Sequence, residues 1–129
     1  MTSGNEQIPE SDTALKCKDF ITEDGRENIT GYVWSNYVYP MLEAQKRDDI
    51  LGYISLKQGL TDFFADVPFK ENPFQKDVEG LCQLIENGGR NPDEEGAMLY
   101  VIKMNAVHME AYERAGKLRD QIERMIQQR

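Results

Sequence analysis

A chain of 129 residues that is 40% hydrophobic and carries a formal net charge of −8 offers one domain's worth of core, with little room for a second. Its apolar runs, such as Met98 to Ile102, fall far short of the roughly 20 residues that span a bilayer, and the first residues carry neither the basic start nor the apolar stretch of a secretory signal. The expectation is a cytoplasmic protein, and its negative charge disfavours sequence-independent contact with nucleic acid.

Residues 1–28 are polar and mostly acidic, with apolar side chains too scattered to follow any period. Such a segment buries too little surface to offset its ordering entropy, so a disordered or loosely attached N-terminal tail is expected. Leu15, Phe20 and Ile21 are the residues by which its latter half could dock as a strap. Cys17 falls in this polar stretch and Cys82 in an apolar helical pattern, with no CxxC pair or Cys/His cluster beside either. A zinc site is therefore not expected, and two isolated thiols are expected to stay reduced.

The single helical domain begins at residue 29. Tyr32 to Tyr39 is rich in aromatic and β-branched residues, and propensity alone would allow a strand. The chain offers no second strand with a hairpin turn to pair it, which favours a helix with Val33, Tyr37 and Met41 on one face, kinked or ended by Pro40. Asp48 and Asp49 then place negative charge at a helix start. Ile50, Tyr53, Ile54, Leu60, Phe64 and Val67 recur at helical spacing with Lys57 on the same stripe, and the helix is expected to stop near Asp66. Gly52 and Gly59 weaken it by about 1 kcal/mol each unless a neighbouring helix needs the close approach they permit. Pro68 and Pro73 bracket a loop, and Pro73 suits the first turn of a further helix that buries Phe74, Val78, Leu81, Cys82 and Ile85. Asn87 to Gly89 supplies a left-handed stop, and Asn91 followed by Pro92 and three acids reads as the cap and first turn of the next helix.

The segment 91–128 has the pattern of an antiparallel helical hairpin. Its first helix presents Leu99, Ile102, Ala106 and Met109, and its second Ala115, Leu118, Ile122 and Met125, in the same spacing of three, four and three. Each stripe is narrow, as two helices closing one seam require. Ala106 on one side and Ala115 with Gly116 on the other would let the backbones approach, and Glu113–Lys117 and Asp120–Arg124 are acid-before-base pairs one turn apart. Charge is unevenly shared: residues 103–129 carry +2 and the rest −10. The sum is an all-α fold, a small bundle of four to five helices ending in that hairpin.

Tyr112 to Ile122, read as aromatic-Glu-Arg-Ala-Gly-Lys-Leu-Arg-Asp-Gln-Ile, resembles the core of the UVR motif, and Met104 precedes it at the distance where that family tends to carry a methionine. Gly116 stands where the family commonly has alanine. UVR hairpins occur in the excision-repair proteins UvrB and UvrC, in ClpC-type chaperones and in the McsA adaptor. The resemblance implies a protein-docking hairpin that pairs with a second such hairpin and has no catalytic role. The partner-binding residues it points to are Met104, Tyr112, Ala115, Leu118, Arg119, Asp120, Ile122 and Met125. Spacing alone leaves open whether the Leu118–Ile122–Met125 seam faces a partner or the protein's own body.

No cofactor, metal or catalytic residue set is expected. His108 is the sole histidine, near a helix end, with no nucleophile or carboxylate placed beside it, and reads as a surface or capping residue. The aromatic group from Tyr32 to Phe74 reads as core, with a partner groove anchored by Trp34 as the functional alternative. Asn87 to Arg90 could hold an anion, although a helix stop explains the same residues. The expected function is a non-enzymatic adaptor or regulatory protein whose partner is another UVR-like hairpin or a second copy of itself. The alternatives are an acidic inhibitor that imitates nucleic acid, and a helical domain whose hairpin is simply core.

Overall fold

The computed structural model describes residues 14–67 and 69–128, which form an all-α fold. Residues 1–13, Pro68 and Arg129 lie outside the described residues, and with them the first part of the expected tail. Helix α1 runs without a break through an α-helical turn (Thr30–Val33), a π-helical segment (Trp34–Val38) and a second α-helical stretch (Tyr39–Lys46). It is followed by α2 (Ile50–Phe63), α3 (Gln75–Asn87), α4 (Glu94–His108) and α5 (Tyr112–Gln127). Helices α1 to α4 pack on one another, whereas α5 packs on α4.

Residues 14–28 are not a loose tail. A 3₁₀ turn (Cys17–Phe20) leads into a minimal hairpin in which β1 (Ile21–Thr22) pairs antiparallel with β2 (Gly25–Arg26), and Gly25 takes the φ of +129° that the tight turn needs. This strap is pinned by single residues. Cys17 is buried in the core, Phe20 packs on Tyr32 and Phe63 with ring centroids 5.3 and 6.0 Å apart, and Lys18 reaches Asp66 at 2.6 Å. Leu15, one of the expected docking residues, is instead largely in solvent.

Residues 32–39 are helical as expected, but Pro40 neither ends nor caps α1. Proline brings no N–H to the carbonyl one turn behind it. A π-helical register lies just before Pro40, in which the Tyr39 N–H bonds to the Trp34 carbonyl. The side-chain amide of Asn36 donates to the Tyr32 carbonyl at 2.9 Å in the same stretch.

The corner from α1 to α2 has three residues, Arg47 to Asp49. The Asp49 N–H returns to the Ala44 carbonyl (2.8 Å) and the Asp48 N–H to that of Gln45 (3.2 Å), with Asp48 left-handed at φ 60°. Asp49 then caps α2 by accepting from the Gly52 N–H at 3.0 Å. The stripe expected on α2 is only partly the buried one. Tyr53, Leu60, Phe63 and Phe64 point inward, while Ile50 and Ile54 are exposed and Leu51, 80% exposed, stands almost free. The helix stops at Phe63, before Asp66, because Phe63 and Phe64 both turn into the core, where Phe64 stacks on Phe74 at 4.6 Å. Gly59 does serve a close approach, since an added Cβ would lie 2.9 Å from the Tyr37 ring of α1, whereas at Gly52 it would strike only the Asp49 cap.

Helix α3 begins at Gln75, so Pro73 sits before the helix and not within its first turn. Asn72 holds the entry by accepting from the Phe74 N–H (2.9 Å) and donating to the Phe64 carbonyl (2.7 Å). Its stripe of Phe74, Val78, Leu81, Cys82 and Ile85 is buried throughout, and Gly89 at φ 59° provides the left-handed stop. Lys103 of α4 meets Asp77 of α3 at 2.8 Å, a pair almost shielded from solvent that ties these two helices in register.

Candidate functional site

Helix α4 is capped by Asp93, which accepts from the Gly96 N–H at 3.0 Å, with Glu94 and Glu95 in the first turn. The cap expected at Asn91 is displaced by two residues: the Asn91 N–H is taken by the Gly88 carbonyl at 3.0 Å, and Pro92 precedes the cap instead of following it. At the far end, Met109 to Ala111 make the hairpin corner. The Ala111 N–H bonds to the Ala106 carbonyl (2.8 Å) and the Glu110 N–H to that of Val107 (3.0 Å), with Glu110 left-handed at φ 61°. Helix α5 follows directly, and the expected antiparallel hairpin is formed.

The two helices differ in what surrounds them. Helix α4 is packed nearly all round. Ala97, Tyr100, Val101, Met104, Val107 and His108 are buried, Ala106 is buried beside them, and of the expected stripe Leu99 and Ile102 are half-buried while Met109 is exposed. Helix α5 buries only Ala115, Leu118 and Ile122, with Ala111, Gly116 and Met125 half-buried along the same edge. The seam therefore closes within the hairpin. Near its open end Gly96 makes room for both neighbours, since an added Cβ would lie 2.7 Å from Leu84 Cδ2 of α3 and 2.9 Å from Met125 Sδ of α5. Gly116, expected to ease the approach near the turn, would meet nothing within 4 Å if it carried a side chain.

The residues singled out for docking separate accordingly. Met104, Ala115, Leu118 and Ile122 are buried within the protein, Met125 is half-buried, and Tyr112, Arg119 and Asp120 are in solvent. Arg119 donates to Asp120 Oδ1 from both Nε and Nη2 at 3.3 Å, which replaces the expected Asp120–Arg124 pair, while Lys117 and Glu113 pair at 3.7 Å. Beside the seam's open end lies a shallow recess of about 440 Å³, lined by Asp93, Glu95, Met98, Leu99, Gln121 and Met125. Ile126 and Met109, each substantially exposed, add apolar surface at the two ends of the hairpin.

Elsewhere, a cleft of about 510 Å³ between α2 and α3 has a floor of Phe64, Val78 and Cys82 and a polar rim that includes Lys57, Gln75, Glu79 and Glu86. Glu86 accepts from the Tyr53 hydroxyl (2.7 Å) and from Lys57 (3.1 Å). Burial pushes the Tyr53 hydroxyl far above the phenol range and its bond to Glu86 pushes it further. Burial acts to raise the Glu86 carboxyl, and the bonds from Tyr53 and Lys57 outweigh it and hold the acid below its ordinary value. The network fastens α2 to α3, and neither a nucleophile nor a base is set free by it. Arg90, weighed as an anion ligand, faces Asp48 at 3.5 Å. Among the described residues no three His, Cys, Asp or Glu side chains gather as a metal ion would require, and no helix is long and apolar enough to cross a membrane.

His108 is the residue that sequence reasoning placed least well. Far from the surface, it is fully buried, with Nε2 2.9 Å from the Glu27 carbonyl and Nδ1 3.5 Å from Cys17 Sγ. Both partners come from the strap, more than eighty residues away in sequence, so no local pattern could reveal them. Of the aromatic group, Tyr32, Tyr37 and Phe63 pack ring on ring, while Trp34 is half-buried with Tyr39 6.3 Å away. No family model, no curated protein and no solved structure matches this chain.

Proposed function

We propose that the protein is a cytoplasmic, non-enzymatic adaptor or regulatory protein that docks a protein partner through the outer face of its C-terminal hairpin, as the UVR hairpins it resembles do. The observation that supports this reading is the attachment of α5. The helix is held by one narrow stripe on α4, and Tyr112, Arg119 and Asp120 stand outside that stripe in solvent. In this arrangement Met104, Ala115, Leu118 and Ile122 act indirectly by fixing the spacing of the two helices, while the exposed residues and the Met98–Leu99–Met125 recess supply the contact. A charged pair near the apolar recess, with an aromatic ring at the hairpin corner, suits a partner whose affinity comes from the apolar contacts and whose register comes from the charges. The two free thiols agree with a reducing compartment.

The test is titration calorimetry of the full chain against a synthetic UVR hairpin peptide of the UvrB type, together with sedimentation of the chain alone. Binding or dimerisation is expected, and Tyr112→Ala combined with Arg119→Ala should weaken it at least about tenfold while the helical circular dichroism is retained. A chain that stays monomeric and takes up no peptide at about 1 mM would sink the proposal.

A further inference from the structure

The strap that covers the end of α4 converges on one side chain. Both nitrogens of the His108 ring face strap atoms, and the His108 carbonyl accepts from Arg26 Nη1 of the same strap at 3.0 Å. The Glu27 carbonyl can only accept, so Nε2 must carry a hydrogen. In a neutral ring Nδ1 is then bare and accepts from the Cys17 thiol. Burial pushes that thiol up to about 11, so it remains an S–H donor at any ordinary pH. Neutral imidazole with Nε2–H and the thiol intact satisfies both of these contacts, and the Phe20 carbonyl also acts on the ring.

We propose that His108 is an acid-sensitive latch whose protonation releases residues 16–28 from the end of α4 and bares the aromatic surface beneath them. Protonation fills Nδ1 with a hydrogen and sets two donors, N–H and S–H, against each other in a site closed to water. It also places a second cation beside Arg26, the charged side chain that acts on the ring. Arg26 is in turn engaged by Glu110 of the hairpin corner at 3.5 Å and lies over the Phe69 ring at 5.6 Å. Cys17 is the other titratable group facing the ring, and Glu27 presents its carbonyl there. Burial, with the Arg26 charge adding to it, outweighs the Glu27 and Phe20 carbonyls and holds the imidazole below its ordinary value, so the latch stays shut at neutral pH. The strap's other side-chain tethers are the packing of Phe20 on Tyr32 and Phe63, the solvent-exposed Lys18–Asp66 pair and, at its margin, the Leu15 N–H to the Tyr32 hydroxyl at 3.2 Å. Release would uncover Phe63 and Tyr32, on which Phe20 packs, and Phe69, on which Arg26 rests. Acid thereby turns a sealed end of the bundle into an apolar, aromatic surface next to the hairpin corner. This latch does not depend on the docking role proposed for α5.

The experiment uses the full chain with Cys82→Ala, leaving Cys17 as the reporter, and 4,4′-dithiodipyridine as a thiol reagent that works in acid. The rate at Cys17, divided by the rate for free cysteine under the same conditions, is expected to rise at least about tenfold between about pH 7.5 and about pH 5 while helical circular dichroism is unchanged. As the chain has one histidine, its imidazole resonance can be titrated directly, and its midpoint should agree with that of Cys17 exposure within about half a unit. In His108→Gln, whose amide still donates to Glu27, the rise should vanish. A flat Cys17 rate, a rise that accompanies loss of helix, or midpoints that disagree would each overturn the latch. If His108→Gln fails to fold, the comparison of the two midpoints decides alone.

Discussion

At Gly116 an added methyl group would meet nothing within 4 Å, whereas at Gly96 it would press on Asp93, Leu84 and Met125 together. Both glycines lie in helices of the hairpin, so the same substitution should act in opposite directions. Gly116→Ala removes only backbone freedom from the unfolded chain and should stabilise by roughly 0.5–1 kcal/mol. Gly96→Ala overpacks the meeting point of three helices and should cost about 1–3 kcal/mol. Urea denaturation of the two variants beside the parent checks both signs. His108 supplies a second prediction. Its folded value lies below the ordinary imidazole value of about 6.5, so the neutral form is the one the fold favours. The stability it contributes is complete above pH 6.5 and is lost as pH falls through the lowered folded value, with a slope of at most about 1.4 kcal/mol per pH unit. Denaturation curves between about pH 7 and pH 5, above the carboxylate range, should show that slope in the parent and lack it in His108→Gln.

The helix corners are the elements where sequence and structure agree in position and differ in chemistry. The two three-residue corners, Arg47–Asp49 and Met109–Ala111, use the hydrogen-bond pattern that a glycine normally completes, yet place Asp48 and Glu110 in the left-handed position. A side chain there costs of the order of 1 kcal/mol. Glu110→Gly should therefore be neutral to stabilising in thermal unfolding despite the loss of this exposed carboxylate from the half-buried Arg26, and a clear fall in Tm would show that the ion pair matters more than the backbone. The corners were legible because breaks in helical periodicity are local signals. What each helix packs against was less so. The apolar residues of α2 recur with helical period, but only Tyr53 of its first turns is turned inward, leaving Ile50, Leu51 and Ile54 outside. Periodicity gives a face, not the length of neighbour that covers it. In α4 the reverse happened: a narrow stripe was expected, and the helix is covered on most sides because both α5 and the body need it. The strap was legible only in part, through Phe20. Its anchors Cys17 and Arg26 are isolated in a polar segment and find their partners through pairings that span the chain.

On the scale of the whole molecule, the five helices of the described residues do not share the core equally. Four of them surround the aromatic chain running from Tyr32 through Phe63 and Phe64 to Phe74, and the fifth is added to the far side of α4. That fifth helix carries four basic side chains against three acidic ones, in contrast to the acidic body. Such an appended element has its own, lower opening free energy, because it buries one stripe while the body buries several. Leu118→Glu measures this difference. Leu118 is 9% exposed in the middle of the α4–α5 seam, and a carboxylate placed there would be taken out of water. The substitution should detach α5 and leave α1 to α4 folded. The expected readout is a loss of helical circular dichroism of about the size of one helix in five, with the amides of α5 exchanging rapidly and those of α3 still protected. Loss of all protection together would instead make α5 part of a single cooperative core, and the face proposed for docking would then be the outer wall of that core and not a separable arm.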